Sequence, residues 1–180
     1  MKLLILTGSS TSGKNTLADL LLKDRGFAQI MTATSRARRP GEAIDAYYFL
    51  DESAFRKKSD FFEMENNHGN YYGLLKSELN EKLKSVKKLI WVLDPKGAYK
   101  LMTKLRKFLP KDTISVYLTP GRKVLVERIK NQRKEKNLKA RLKSIDEEFN
   151  ILSKGKFDFI VSTNCEISES LANLKKIIGV

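Results

Sequence analysis

KLLILTGSSTSGKNT, residues 2–16, decides the fold. Lys2 to Leu6 is a short apolar, strand-compatible run. Gly8-Ser9-Ser10-Thr11-Ser12-Gly13-Lys14 follows it, and a helical pattern of Leu17, Leu20 and Leu21 begins at once. The spacing G-x-x-x-x-G-K is complete, with Asn15 where the pattern takes Ser or Thr and Thr16 one residue later. Glycines at both ends permit a tight turn whose successive N–H groups face phosphate oxygens, and the helix starting near Gly13 adds the positive end of its dipole. Lys14 supplies a mobile full charge. Residues Gly8 through Thr16 therefore read as a nucleotide phosphate cradle, against the plainer reading of a Gly/Ser-rich connection.

Working outward, the chain alternates strands and helices. Phe27 to Met31 reads as a second strand after a glycine stop at Gly26. Thr32 to Glu42 has neither period and carries Arg36, Arg38 and Arg39 ahead of a Pro40-Gly41 turn. Tyr47 to Leu50, Phe61 to Glu65 and Asn70 to Tyr72 read as short strands, with Asp51 as the cap of a brief turn through Phe55. Residues 33 to 75 thus form a small β-rich insertion. Helix 77–85 carries Leu79, Leu83 and Val86, and strand 88–93 ends at Asp94-Pro95. The helix after Pro95 has Leu101, Leu105 and Phe108 on one face. Strand 113–118, helices from Gly121 and Leu138, strand 157–162 and a helix through Ile178 complete the chain.

The order β-α-β, insertion, α-β-α-β-α-α-β-α predicts an α/β fold with a mostly parallel sheet covered by helices on both faces. Ligands in such folds gather at the carboxyl ends of the strands. That rule puts the Gly8 loop, the Thr32 to Arg39 loop, Asp94 and the segment after Leu118 on one rim.

Composition narrows the function classes. At 180 residues, 41% hydrophobic and 31% charged, one soluble domain is expected, and no apolar run approaches a membrane span. The apolar stretch of MKLLILTG is too short for a secretory signal. A single cysteine, Cys165, fits a reducing, cytoplasmic setting. The formal charge of +14 calls for an anionic ligand, a nucleotide or a nucleic acid. From Arg122 to Lys143 there are ten Lys/Arg against Glu127 and Glu135. Such a run is either a solvated helix face or a surface for an anionic partner.

Other side chains carry chemistry. Arg36, Arg38 and Arg39 present forks that match phosphate oxygens. Glu63 can accept paired N–H donors from a base edge, or simply face solvent. Asp94 can approach Mg2+ or a substrate, or cap its helix. Tyr47, Tyr48, Tyr71 and Tyr72 are mostly packing residues with hydroxyl handles. His68, the one histidine, sits in a turn-like stretch with no zinc-type cluster.

These motifs together resemble the guanylate kinases. Thr34-Ser35-Arg36-Ala37-Arg38-Arg39-Pro40-Gly41-Glu42 with Tyr47-Tyr48-Phe49 is similar to that family's T-T-R-x-x-R-x-G-E…D-Y-x-F signature. Gly69-Asn70-Tyr71-Tyr72-Gly73 resembles its G-N-Y-Y-G, and the Gly8 loop its G-P-S-G-x-G-K-S-T. The resemblance implies a P-loop nucleoside monophosphate kinase that moves the γ-phosphoryl of ATP, with Mg2+, onto GMP or dGMP. It implies one kinase domain: core 1–32, 91–120 and 143–180, monophosphate-binding insertion 33–90, and lid 121–142. Carried over, Arg36, Arg39, Tyr47 and Tyr72 hold the acceptor phosphate, while Thr32, Glu63 and Asp94 flank the guanine. Lys14, Arg36, Arg128, Arg133 and Arg141 serve the transferring phosphates. Thr16 or Asn15, and Asp94, are the metal-side candidates. The partners implied are the two nucleotides rather than nucleic acid or membrane, and the number of subunits is open. Leu74 stands where the family has Ser or Thr, Val92 where it often has Asp, and Ala46 where an Asp precedes the Tyr. Another monophosphate or a sugar phosphate thus remains the alternative acceptor, and a non-catalytic binding module is the further rival.

Overall fold

Alternation along the first strand sets the layers of the fold. The computed structural model describes residues 1–23, 26–67, 69–132 and 138–180, and within these the side chains of all but 67, 132 and 138–141. His68, Arg133 and the Arg141 side chain, each weighed above, lie outside the described residues. Strand β1 (Leu3–Gly8) is buried at every position. Leu3 and Ile5 join one apolar cluster with Leu89, Trp91, Leu101 and Met102. Leu4 and Leu6 join another with Leu17, Leu21, Leu174 and Ile178. A strand apolar on both faces is what a central parallel strand requires.

Helix α1 (Lys14–Leu22) starts where Gly13 takes φ 89° and buries Leu17, Ala18 and Leu21. Strand β2 (Phe27–Gln29) follows, and then the chain leaves the main sheet. Strands β3 (Ala33–Thr34), β4 (Tyr48–Phe49), β5 (Phe61–Asn67) and β6 (Asn70–Leu75) form a second sheet in the order β4-β3-β6-β5. Its β3–β4 pair is parallel and its other pairs antiparallel. Helix α2 (Lys76–Ser85) brings the chain back to β7 (Lys88–Leu93), which pairs with β1 and β2. Helix α3 (Pro95–Lys100), strand β8 (Thr113–Thr119), helices α4 (Arg122–Gln132) and α5 (Leu138–Ser153), strand β9 (Phe159–Ser162) and helix α6 (Ile167–Ile178) complete the order. The main sheet is parallel throughout, in the order β2-β7-β1-β8-β9. This is the α/β architecture that the alternation predicts, with β1 in the middle and Gly8 at its carboxyl end.

Several local expectations differ from the structure: the second strand ends at Gln29 rather than Met31, and the strand expected over Tyr47 to Leu50 is confined to Tyr48–Phe49. The helix after Pro95 does not keep one phase: α3 passes into a π-helical segment at Leu101–Leu105 and a 3-10 turn at Arg106–Phe108. The wider turn rotates later residues relative to the stripe. Phe108 is consequently 59% exposed, and Leu109 enters the core in its place. Asp51 precedes the turn at Glu52–Arg56 but its side chain makes no capping hydrogen bond. The last strand begins at Phe159 rather than Phe157, whose ring packs against Tyr117 with centroids 5.2 Å apart.

Two smaller clusters complete the packing. Ala33, Phe55 and Phe61 form the core of the second sheet, where the Phe55 and Phe61 rings stack at 4.9 Å. Leu125, Ile129 and Ile145 lock α4 against α5. Leu74, at the end of the second sheet, is fully buried in the main cluster with Leu3 and Trp91, so the two sheets share apolar contacts.

Candidate functional site

Gly8 starts the loop because no other residue fits there. Its φ is +153°, and a Cβ would sit 2.4 Å from the Leu118 carbonyl oxygen and 2.6 Å from Ser12 Oγ. The turn closes with the Ser12 N–H donating to the Ser9 carbonyl at 3.1 Å. Lys14 Nζ donates to that same carbonyl at 3.3 Å, which folds the ammonium back over the loop. Ser9 and Ser12 are fully buried, so they contribute backbone rather than side chains to the loop's open face. Buried Thr11 Oγ1 and Ser12 Oγ make no hydrogen bond among the described residues. These hydroxyls are packed inside the turn, so the groups the loop can offer an anion are its backbone N–H donors and the Lys14 ammonium.

The loop is braced from behind by a residue on α4. Arg128 donates to the Thr11 carbonyl at 3.2 Å and to the Thr163 carbonyl at 3.1 Å, and Thr163 Oγ1 donates to the Ser12 carbonyl at 2.9 Å. Arg128 also lines a cavity of about 550 Å3 with Thr11, Lys14, Asn15, Thr16 and Ile167.

On the other side of Lys14 the basic loop is built around one carboxylate. Glu42 takes a bidentate pair from Arg36 at 2.7 and 3.0 Å and the Arg39 N–H at 2.9 Å. Arg38 donates to the Glu42 carbonyl at 2.7 Å and points away to solvent. The Arg36 guanidinium also lies 5.5 Å from the Tyr47 ring centroid and 5.8 Å from that of Phe49. Only 12% of the Arg36 side chain is exposed. Hydrogen bonding from Arg36 holds the Glu42 carboxyl down at about 2, and the partnership raises the guanidinium further. Tyr47 meets Tyr72 edge-on at 6.2 Å, and burial raises its phenol.

Between the Gly8 loop and this arginine cluster lies a cavity of about 330 Å3. Ser10, Lys14, Asn15, Thr32, Arg39, Tyr47, Glu63, Tyr72, Val92 and Asp94 line it. Nine residues singled out in the sequence for phosphate or base contacts thus meet in one space, together with Val92. An adjoining cavity of about 290 Å3 joins Gly8, Lys14, Arg36, Arg39, Tyr72 and Asp94. Asp94 Oδ1 accepts the Gly97 N–H at 3.0 Å, so it caps α3 and faces the cavity at once. Burial pushes the Glu63 carboxyl up to about 7, against the opposing pull of Lys100 and with Glu65 and Asp94 adding to the rise. Gly73 makes room for Glu63, because a Cβ there would meet the Glu63 carbonyl at 2.9 Å and the Phe61 ring at 2.7 Å.

Several residues of the site escape a reading of motifs. Lys96, Ser144 and Glu148 line the smaller cavity, and Glu65 the larger. Lys96 had a signal, since it follows Asp94 at a strand's carboxyl end; Ser144 and Glu148 arrive by the packing of α5 and had none. Glu78 is buried to 5% exposure and accepts the Met31 N–H at 3.0 Å and the Tyr48 hydroxyl at 2.9 Å. It ties the chain leaving the main sheet to the helix returning to it.

The donor set suits a hard cation held largely by a ligand's phosphates. Asn15, Thr16 and Asp94 offer oxygens, and among the described residues no group of three or more His, Cys, Asp or Glu is arranged as a self-sufficient metal site. Magnesium keeps several waters and takes one or two protein oxygens plus phosphate oxygens, so this sparse set fits it. Asn15 lines both the loop cavity and the central one, whereas Thr16 lines only the former.

Comparisons with known proteins bear on the same arrangement. The family model described as guanylate kinase matches residues 1–179. A guanylate kinase of Fusobacterium nucleatum is 33% identical over 183 residues, covering 98% of this chain and 95% of that protein. One of Bartonella quintana is 32% identical over 97% of this chain and 79% of its own length. Among solved structures, the guanylate kinase from Anaplasma phagocytophilum superposes with a TM-score of 0.73 at 23% identity, covering 99% of this chain and 84% of that one.

Proposed function

We infer from the membership of this chain in the guanylate kinase family that it transfers the γ-phosphoryl group of ATP to GMP, and the division of labour within its cavity follows from that premise. The observation that carries the assignment of residues is the meeting of Lys14, Arg39, Tyr72, Glu63 and Asp94 in one cavity between two cationic sites. Phosphoryl transfer asks little covalent help of a protein; it asks that donor and acceptor be held in line, water excluded and charge neutralised.

The loop from Gly8 to Thr16 holds the ATP phosphates through backbone N–H groups, and Lys14 follows the moving charge. Arg36 and Arg39, with the Tyr47 and Tyr72 hydroxyls, hold the acceptor phosphate. Glu63 accepts from the purine N1–H and 2-amino group, with Thr32 and Asp94 beside it. Arg128 braces the donor loop, and Arg133 and Arg141 complete the cationic lid over residues 121–142. The insertion over residues 33–90 closes toward the core when GMP is present, which excludes water and commits the substrate. Family members use Mg2+ with ATP, and the ion, when bound, offsets phosphate charge. Asn15 and Asp94 are the residues we assign to its side of the site, in preference to Thr16. The dGMP ring presents the same base and phosphate, so it shares the site.

Placement in the cytoplasm is supported by the single cysteine, and among the described residues no helix is long and apolar enough to cross a membrane. The cationic excess is read as serving nucleotide phosphates, because Lys14, Arg36 and Arg39 converge on one cavity. A coupled assay with ATP against GMP, dGMP, AMP, UMP, CMP and dTMP tests the whole reading. GMP and dGMP turn over at least a hundredfold more efficiently than the rest. Absence of turnover with all six refutes it, and equal turnover refutes the Glu63 assignment.

A further inference from the structure

The wall of the central cavity contains a hydrogen bond to which the division of labour above gives no task. Trp91, the chain's one tryptophan, lies in β7 and is fully buried. Its indole Nε1–H donates to Thr32 Oγ1 at 3.3 Å. A buried indole N–H needs such a partner. Its effect on Thr32 is less symmetrical. A threonine hydroxyl has one proton and two lone pairs. With an N–H donor on its sheet side, the hydroxyl cannot turn its own proton that way, because two protons would face each other. The Thr32 backbone carbonyl is engaged separately, accepting the Tyr48 N–H at 3.0 Å. The hydroxyl proton is thereby directed away from the sheet, and Thr32 lines the cavity together with Glu63.

The chemistry of the base makes that direction matter. A 6-oxo-2-aminopurine requires an acceptor at N1–H and at its amino group, and a donor at its oxygen. Glu63, once ionised, is an acceptor only. Leu74, at the end of β6, is fully buried against the same apolar cluster as Trp91 and offers no hydroxyl. Val92 lines the cavity and offers none either. Lys14, Arg39, Tyr47 and Tyr72 are taken up by phosphates in the reading above, and Ser10 and Asn15, which also line the cavity, belong to the donor loop and its metal side. Thr32 is the neutral donor left beside Glu63 for the oxygen.

We propose that Trp91 is a positioning residue for base selection: its indole N–H holds the Thr32 hydroxyl as a donor aimed at the 6-oxo group of the bound purine, in place of the hydroxyl that Leu74 lacks. The inference rests on the assignment of Thr32 and Glu63 to the guanine. An N–H donated to a hydroxyl also polarises it, which strengthens the bond that the hydroxyl itself donates. A 6-amino group presents a proton to that same proton and is disfavoured.

The test compares GMP with 6-thio-GMP, which keeps N1–H and the 2-amino group but puts a poor acceptor at position 6. Steady-state kinetics are measured at saturating ATP for the unaltered chain, Thr32→Val and Trp91→Phe. The unaltered chain favours GMP by about tenfold, the worth of one well-placed hydrogen bond. Thr32→Val brings the ratio close to one. Trp91→Phe, which keeps most of the volume and loses the N–H, lowers the ratio about threefold through the KM for GMP, with kcat and the KM for ATP unmoved. A merely structural role would lower thermal stability and move both nucleotides alike, leaving the ratio intact; that result overturns the proposal. If Thr32→Val also leaves the ratio intact, the placement of Thr32 beside the base is what fails. Equal use of the two nucleotides by the unaltered chain overturns both. A second readout avoids mutation at Trp91: the single indole N–H resonance moves on addition of GMP and moves far less with 6-thio-GMP or in Thr32→Val. A resonance indifferent to GMP refutes the link.

Discussion

Glu63 offers the sharpest quantitative prediction, because the same burial acts on binding and on stability with opposite signs. Its carboxyl is pushed from an ordinary 4.5 to about 7, and only the ionised form accepts from a purine N1–H and amino group. The ionised fraction therefore climbs from about 0.1 at pH 6 to about 0.9 at pH 8. The dissociation constant for GMP falls about ninefold over that window from this group alone. The acceptor phosphate itself titrates near pH ~6, so the comparison must be made against Glu63→Gln, in which the phosphate's contribution persists and the carboxyl's is gone. Titration calorimetry of GMP in the absence of ATP, from pH 6 to pH 8, measures both curves. At pH 8 the variant binds GMP about 10- to 100-fold more weakly, the value of a pair of charge-assisted hydrogen bonds. For stability the sign reverses. An acid whose folded value is raised contributes fully below its unfolded value of 4.5 and loses that contribution as pH rises through about 7. The loss is at most roughly 3 kcal/mol. In the absence of nucleotide, Glu63→Gln consequently melts higher than the unaltered chain at pH 8, by about 5–10 °C, and the two coincide near pH 4. Parallel GMP curves for the two proteins would refute the assignment of Glu63 to the base, and a variant that melts lower at pH 8 would refute the burial-raised carboxyl.

Three further outcomes follow from named contacts. Glu42→Gln removes the carboxylate that holds Arg36 and the Arg39 N–H, so the KM for GMP rises about tenfold while the KM for ATP holds; initial-rate kinetics with each nucleotide varied decide it. Gly8→Ala forces a methyl to 2.4 Å from the Leu118 carbonyl, which costs about 1–3 kcal/mol and lowers the calorimetric melting point by about 3–10 °C, with ATP binding lost in proportion. Glu78→Ala leaves the Met31 N–H and the Tyr48 hydroxyl without their acceptor; chemical denaturation should show about 2–4 kcal/mol lost, and an unchanged midpoint would mean that the pair is solvated.

What could be read in advance depended on how local its cause was. The loop at Gly8, the arginines at Arg36 and Arg39 and the Tyr71-Tyr72-Gly73 stretch are short-range patterns; the loop, the two arginines and Tyr72 line one cavity, while Tyr71 packs against Phe55 in the second sheet. Central strands such as Leu3–Gly8 announce themselves by an apolar run, here Leu3 to Leu6. Phe108 did not follow its stripe, because a π-helical segment at Leu101–Leu105 is a registry shift with no marker in periodicity. Glu78 sits within three residues of the helix start and looked like any acid in a first turn. Its burial comes from Met31 and Tyr48, 47 and 30 positions away. Trp91 likewise read as one more apolar strand residue, because its polar edge matters only once Thr32 is beside it.

Leu74 belongs by sequence to the second sheet and by packing to the core, where it is fully buried with Leu3 and Ile5. Withdrawing such a side chain into water costs about 2–3 kcal/mol. Any swing of the second sheet toward the donor loop is therefore easiest as a rotation about an axle passing near Leu74, and hardest as a translation that lifts the sheet off. Points near that axle, Gly73 and Trp91 among them, would move little, while the distant β5–β6 tip would trace the widest arc. In the closure proposed above, Leu74 would thus act as the anchor of the moving sheet, and Leu74→Ser would loosen that anchor by exchanging a buried apolar side chain for a hydroxyl.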